Sequence, residues 1–89
     1  MTFQPMSQTT FYRDVSKAPK PGDEFIDVFL QDVAAGFELC ITRGAFQGKS
    51  RKRRHPFPTL EKARRAYRKA CEAALQNGFK VADSSLRFL

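Results

Sequence analysis

Eighty-nine residues are enough for one domain with a modest core, burying about 60–65% of the surface that the unfolded chain exposes. With 16 Lys+Arg against 9 Asp+Glu, a formal net charge of +7, nine Phe and no Trp, aromatic rings must supply much of the packing, and the surface should attract polyanions. No apolar run approaches the ~20 residues of a membrane span, and two cysteines at positions 40 and 71 have no metal-ligand spacing, so membrane spanning, a zinc site and a disulfide framework are not expected.

Met1 to Thr10 is uncharged and aperiodic, which predicts a flexible leader over residues 1–10 and a single domain over 11–89, with a strand near Thr9 to Val15 as the alternative for its end. Lys17 to Gly22 carries two prolines and a glycine and reads as a loop, so the compact part is expected to start at about Glu24. Phe25 to Leu30 is aromatic and β-branched and too short for a core helix, which predicts a largely buried strand. A turn over Asp32 to Gly36 should lead into a second strand. There Phe37, Leu39 and Ile41 share one face, and Glu38, Cys40 and Thr42 the other.

Lys49 to His55 offers no apolar side chain to either face and is either an exposed edge strand or a mobile loop. Thr59 to Asn77 is the clearest element, with Thr59 as N-cap and Gly78 at the C-cap glycine position. At 100° per residue Leu60, Ala63, Tyr67, Ala70, Cys71 and Ala74 form one stripe, opposite Glu61, Lys62, Arg65, Lys69, Glu72 and Gln76. Phe79 to Leu89 is expected to add a last strand or a packed tail. The predicted fold class is α+β: a twisted antiparallel sheet with one amphipathic helix packed across it.

Charge is unevenly distributed along the chain. Residues 1–40 hold three cations and six carboxylates, whereas residues 41–89 hold thirteen cations and three carboxylates. Lys49, Arg51, Lys52, Arg53 and Arg54 fill five of six consecutive positions, a mutual repulsion that folding seldom requires and that an anionic ligand would relieve. In an extended stretch Arg51 and Arg53 project to one side and Lys52 and Arg54 to the other, so both phosphate rows of a duplex groove come within reach. Arginine favours bidentate phosphate contacts. The alternatives are a solvated loop or a targeting signal. The helix cations have acidic mates at i,i+4, Glu61 for Arg65 and Glu72 for Arg68, and read as an ordinary solvated face.

His55 is the one histidine and has no partner at catalytic spacing. With no P-loop and no glycine-rich turn opening a helix, no catalytic residue, cofactor or metal is expected.

The order of a strand, a glycine turn, GFELCITRG, a basic strand, FPTLEKA and a helix ending NGF resembles the WGR domain, named for a Trp-Gly-Arg signature. That family occurs in poly(ADP-ribose) polymerases and as small stand-alone bacterial proteins. The similarity covers about Phe25 to Phe79, and from Arg43 onward the family's spacing fits without a gap. Phe57, Thr59 and Ala63 match its F-x-S/T-x-x-x-A helix entry, and Gly78-Phe79 its closing Gly-Tyr. Arg43 stands where the family has tryptophan, Gly44 matches, and Ala45 replaces the arginine, while Gln47, Ser50 and Arg51 replace Gly, Gly and Gln. In WGR domains that bind DNA breaks, the tryptophan and arginine contact the strand near its end. With both replaced, the resemblance still implies general backbone binding and leaves end recognition open. No ADP-ribosyltransferase domain lies in these residues, so the implied role is binding alone.

The function expected is therefore a cytoplasmic, non-enzymatic module holding nucleic acid, double-stranded DNA first, through phosphates with low sequence specificity. Its contacts would be Arg43, Lys49, Arg51, Lys52, Arg53 and Arg54. The alternative is a regulatory module that presents the same patch to an acidic protein.

Overall fold

A computed structural model of the chain describes residues 7–84. Five strands form one antiparallel sheet: β1 (Ser7–Tyr12), β2 (Glu24–Val33), β3 (Gly36–Ala45), β4 (Ser50–Phe57) and β5 (Lys80–Ser84), in the order β4-β3-β2-β1-β5. One helix, α1 (Leu60–Gln76), packs across one face. The α+β architecture read from the sequence is the observed one.

Alternation decides which face each side chain takes. Phe11 from β1, Ile26, Val28 and Leu30 from β2, and Leu39 from β3 are buried beneath the helix. The intervening residues Tyr12, Phe25, Asp27, Phe29 and Gln31 occupy the opposite face, which no helix covers. The strand expected at Phe25 to Leu30 is thus longer at both ends and buried on one face only. Its hairpin with β3 closes through Ala34 and Ala35 alone, because Val33 already pairs with Gly36. Gly36 has φ +137°, and a side chain there would meet the Phe57 carbonyl at 2.8 Å, so the glycine marks where β4 runs into the helix.

The N-terminal boundary differs from the expectation. Of the stretch 1–10 read as a flexible leader, residues 1–6 lie outside the described residues, whereas Ser7 to Thr10 belong to β1, an interior strand between β2 and β5. The strand ends at Tyr12, not Val15, and the compact part starts well before Glu24. Thr9 and Phe11 turn inward, and Thr9 satisfies its buried hydroxyl on the Tyr67 hydroxyl at 2.6 Å. A threonine in that inward place carries period two without the hydrophobic signal that normally reveals it.

α1 follows its sequence signals closely. Thr59 accepts a hydrogen bond from the Lys62 amide, capping the start. At the other end Gly78 adopts φ +88°, with Phe79 N–H donating to Ala74 O and Gly78 N–H to Leu75 O, the paired bonds of a Schellman motif. Ala63, Tyr67 and Ala74 are buried, with Leu60, Ala66, Ala70 and Cys71 packed around them. Seventeen residues span about 26 Å, enough to cross the roughly 19 Å between the edge strands β4 and β5 and deliver the chain from one sheet edge to the other. Phe79 plugs the core beyond the helix before β5 begins, and residues 85–89 of the tail predicted from Phe79 lie outside the described residues. No helix is long and apolar enough among the described residues to cross a membrane.

Candidate nucleic-acid interface

The basic run is a strand. Every residue from Ser50 to Phe57 pairs with β3, from Gly44↔Ser50 to Phe37↔Phe57, which settles the choice between edge strand and loop. Backbone pairing along one side and Phe57 packed against the core hold it in place, since its other side chains contribute no burial. β4 is an edge of the sheet, and charge on an edge strand prevents pairing with a second molecule. One or two cations accomplish that. Here all four residues from Arg51 to Arg54 are cationic and exposed.

Strand alternation divides the six expected contact residues among three places. Arg51 and Arg53 point to the helix side, where Arg43 lies directly across from Arg51 and Ile41 from Arg53. Lys52 and Arg54 point to the open face, opposite Thr42 and Cys40. Lys49 sits in the β3–β4 turn. On the helix side Arg43, Arg51, Arg53 and His55 surround a concavity of about 450 Å³ floored by Ile41, and no carboxylate lines it.

Among the described residues no carboxylate forms an ion pair with these cations. Like charges directly across a ladder destabilise it, as in the Arg43↔Arg51 pair. Among the described residues the ion pairs are Arg13–Glu24 at 3.1 Å and Arg65–Glu61 at 3.5 Å, both outside the cluster. Two of the cations instead rest on aromatic rings. The Arg43 guanidinium lies 5.7 Å from the Phe79 ring centre and the Lys52 ammonium 5.4 Å from that of Phe29.

The turn that carries Lys49 is fixed from two directions. Ala45 N–H donates to Lys49 O, Gly48 N–H to Ala45 O, and Gln47 takes the left-handed conformation at φ 56°. Phe46 exchanges backbone hydrogen bonds with the loop before β2, donating to Asp23 O at 2.7 Å and accepting from Gly22 N–H at 2.9 Å, and sets its ring edge-on to Tyr12. Gly44 is indispensable to the hairpin, because a Cβ there would stand 2.4 Å from Lys49 O and Ser50 Cα.

Both cysteines sit where the neutral thiol is favoured. Burial, then the neighbouring Glu38, pushes the Cys40 thiol up to about 11 despite the nearby cations Lys52 and Arg54. Burial likewise raises Cys71. The two thiols are free and lie on opposite sides of the sheet, Cys40 on the open face and Cys71 on the helix.

The sequence identified Arg51, Arg53 and their alternation, but not the concavity or the place of His55 beside them. The register that sets Arg43 against Arg51 follows from the length of the β3–β4 turn, and the sequence signal for it was Gly44 and Gly48 bracketing a short connection. No family model, curated protein or solved structure matches the chain.

Proposed function

We propose that this chain is a non-enzymatic, WGR-like module of the cytoplasm that binds duplex DNA through its phosphates, with β4 entering a groove edge-first. The observation that carries this reading is the concavity around Arg43, Arg51 and Arg53, where like charges face each other across the ladder and no carboxylate of the described residues pairs with them. A phosphate row relieves that repulsion and accepts the guanidinium forks in bidentate fashion.

The dimensions favour a groove. A strand with side chains on both faces is about 10 Å thick, and the major groove is about 12 Å wide. The helix-side arginines then meet one phosphate row, Lys52 and Arg54 the other, and Lys49 follows the backbone at the tip. Contacts made to phosphates position the protein and carry no sequence information, so low sequence specificity follows. The replaced Trp and Arg of the signature leave Arg43 to serve a phosphate where the family has an aromatic contact.

Two paired substitutions test the arrangement. Arg51→Ala with Arg53→Ala, and separately Lys52→Ala with Arg54→Ala, should each weaken binding to unrelated duplex sequences equally. A loss confined to one sequence would contradict phosphate-led binding. Undiminished binding in either pair would remove one of the two rows. Failure to bind free DNA at low salt would transfer the patch to an acidic protein partner.

A further inference from the structure

The sheet face turned away from α1 carries rings where a solvated strand ordinarily shows polar residues. Phe25 and Phe29 of β2 stand there half-buried, and Tyr12 of β1 lies 6.3 Å from the Phe25 ring. Cations bracket this ridge from both edges: Lys52 and Arg54 on β4, and Lys80 on β5, whose register partner is Tyr12. Asp27 separates the two phenylalanines and accepts hydrogen bonds from Gln8 at 3.0 Å and Thr10 at 2.8 Å.

We infer that this open face binds an unpaired nucleic-acid strand, its bases stacked on Phe25 and Phe29 and its phosphates directed to the edge cations. Aromatic faces accept any base, and cationic margins track the backbone. Asp27 favours the same orientation, since a carboxylate at the centre repels a phosphate but accepts the exocyclic amine of a base. Four residues along a strand place the two rings about 13 Å apart, whereas successive bases of a helical strand rise about 3.4 Å. Only a splayed, single-stranded segment meets both rings. An apolar protein surface would offer no counter-charge to Lys52, Arg54 and Lys80, which a phosphate backbone does. The rings are separate from the concavity while Lys52 and Arg54 border both sites, so the rings and the pair Arg51 and Arg53 are what distinguish the two modes of binding.

The test compares a short labelled single strand, an abasic strand of equal length and a duplex, each titrated against the wild-type protein, Phe25→Leu, Phe29→Leu, and the double variant Arg51→Ala with Arg53→Ala. Leucine keeps an apolar side chain on the sheet without a stacking face, and thermal melts of each variant confirm the fold. Each leucine variant should bind the base-bearing strand about tenfold more weakly; duplex binding should be unchanged in Phe25→Leu and altered far less than tenfold in Phe29→Leu, which removes the ring beneath Lys52. The abasic strand should bind the wild-type protein as weakly as the base-bearing strand binds the leucine variants. The arginine variant should lose duplex and keep base-dependent single-strand binding. In Tyr67→Phe, whose one remaining tyrosine is Tyr12, the base-bearing strand should quench tyrosine emission and the abasic strand should not. The inference is overturned if the wild-type protein binds no single strand, if the abasic strand binds as tightly as the base-bearing one, or if both leucine variants bind like wild type.

Discussion

Gly44 has a role that its own sequence position does not reveal. The backbone of β4 crosses so near that a single methyl group would contact Lys49 O and Ser50 Cα at 2.4 Å, neither of which can yield without opening the hairpin. Gly44→Ala should therefore cost about 1–3 kcal/mol, read as a lower urea midpoint. Arg51 makes the opposite case. Its charge faces Arg43 across the ladder, so Arg51→Glu replaces repulsion with a cross-strand ion pair and should raise stability by roughly 0.2–1 kcal/mol. The same substitution should weaken DNA binding. A variant that melts higher and binds worse would show that the charge at 51 serves a ligand rather than the fold, while a lower melting temperature would contradict the assigned repulsion. The glycine turn and the arginine were both visible in the sequence; the contacts that give them meaning depend on strand register.

At the level of elements, legibility followed how many independent signals agreed. α1 has a cap at each end and a 3.6-residue stripe between, and was readable nearly to the residue. β3 alternated as written, although Cys40 on its wetter face is only 1% exposed, because Gln31 and Glu38 close over it. β1 was only partly readable, since a threonine takes an inward place and one of its two partners, β5, lies at the far end of the chain. β4 was ambiguous because seven of its eight residues are exposed, so nothing but pairing with β3 makes it a strand. Its side assignment separates the thiols, which leads to a chemical prediction. Held protonated by burial and divided by the sheet, Cys40 and Cys71 should react slowly with a thiol reagent at pH 8 and fully only after denaturation. Rapid native-state labelling of both would contradict their placement.

For the whole molecule, two buried acids set an alkaline limit. Cys40 is raised from 9.0 to about 11, and Tyr67, buried against Thr9, from 10.0 to about 12. In both cases the unfolded chain releases its proton at lower pH than the folded one, so the stability due to the neutral forms is intact below pH 9 and is lost as the pH rises toward 12. Urea midpoints should be level from pH 7 to about 9 and fall above it; a rise over that upper range would contradict the burial of these groups. The same whole-molecule view explains the charge asymmetry. Most of the carboxylates belong to the first half of the chain, which supplies β1, β2 and most of β3. The densest run of cations, Arg51 to Arg54, lies on one edge of the sheet, an arrangement that shapes the external field more than it supports the fold.

That field is the centre of the account, and salt dependence tests it most directly. Anisotropy of a labelled 20-base-pair duplex should be titrated with the wild-type protein over a series of salt concentrations. The log of affinity should fall with the log of salt at a slope of about −3 to −5, as counterions leave the phosphates that the β4 cations and Arg43 neutralise. Affinity independent of salt, or no binding at low salt, would contradict a phosphate-led interface on this edge.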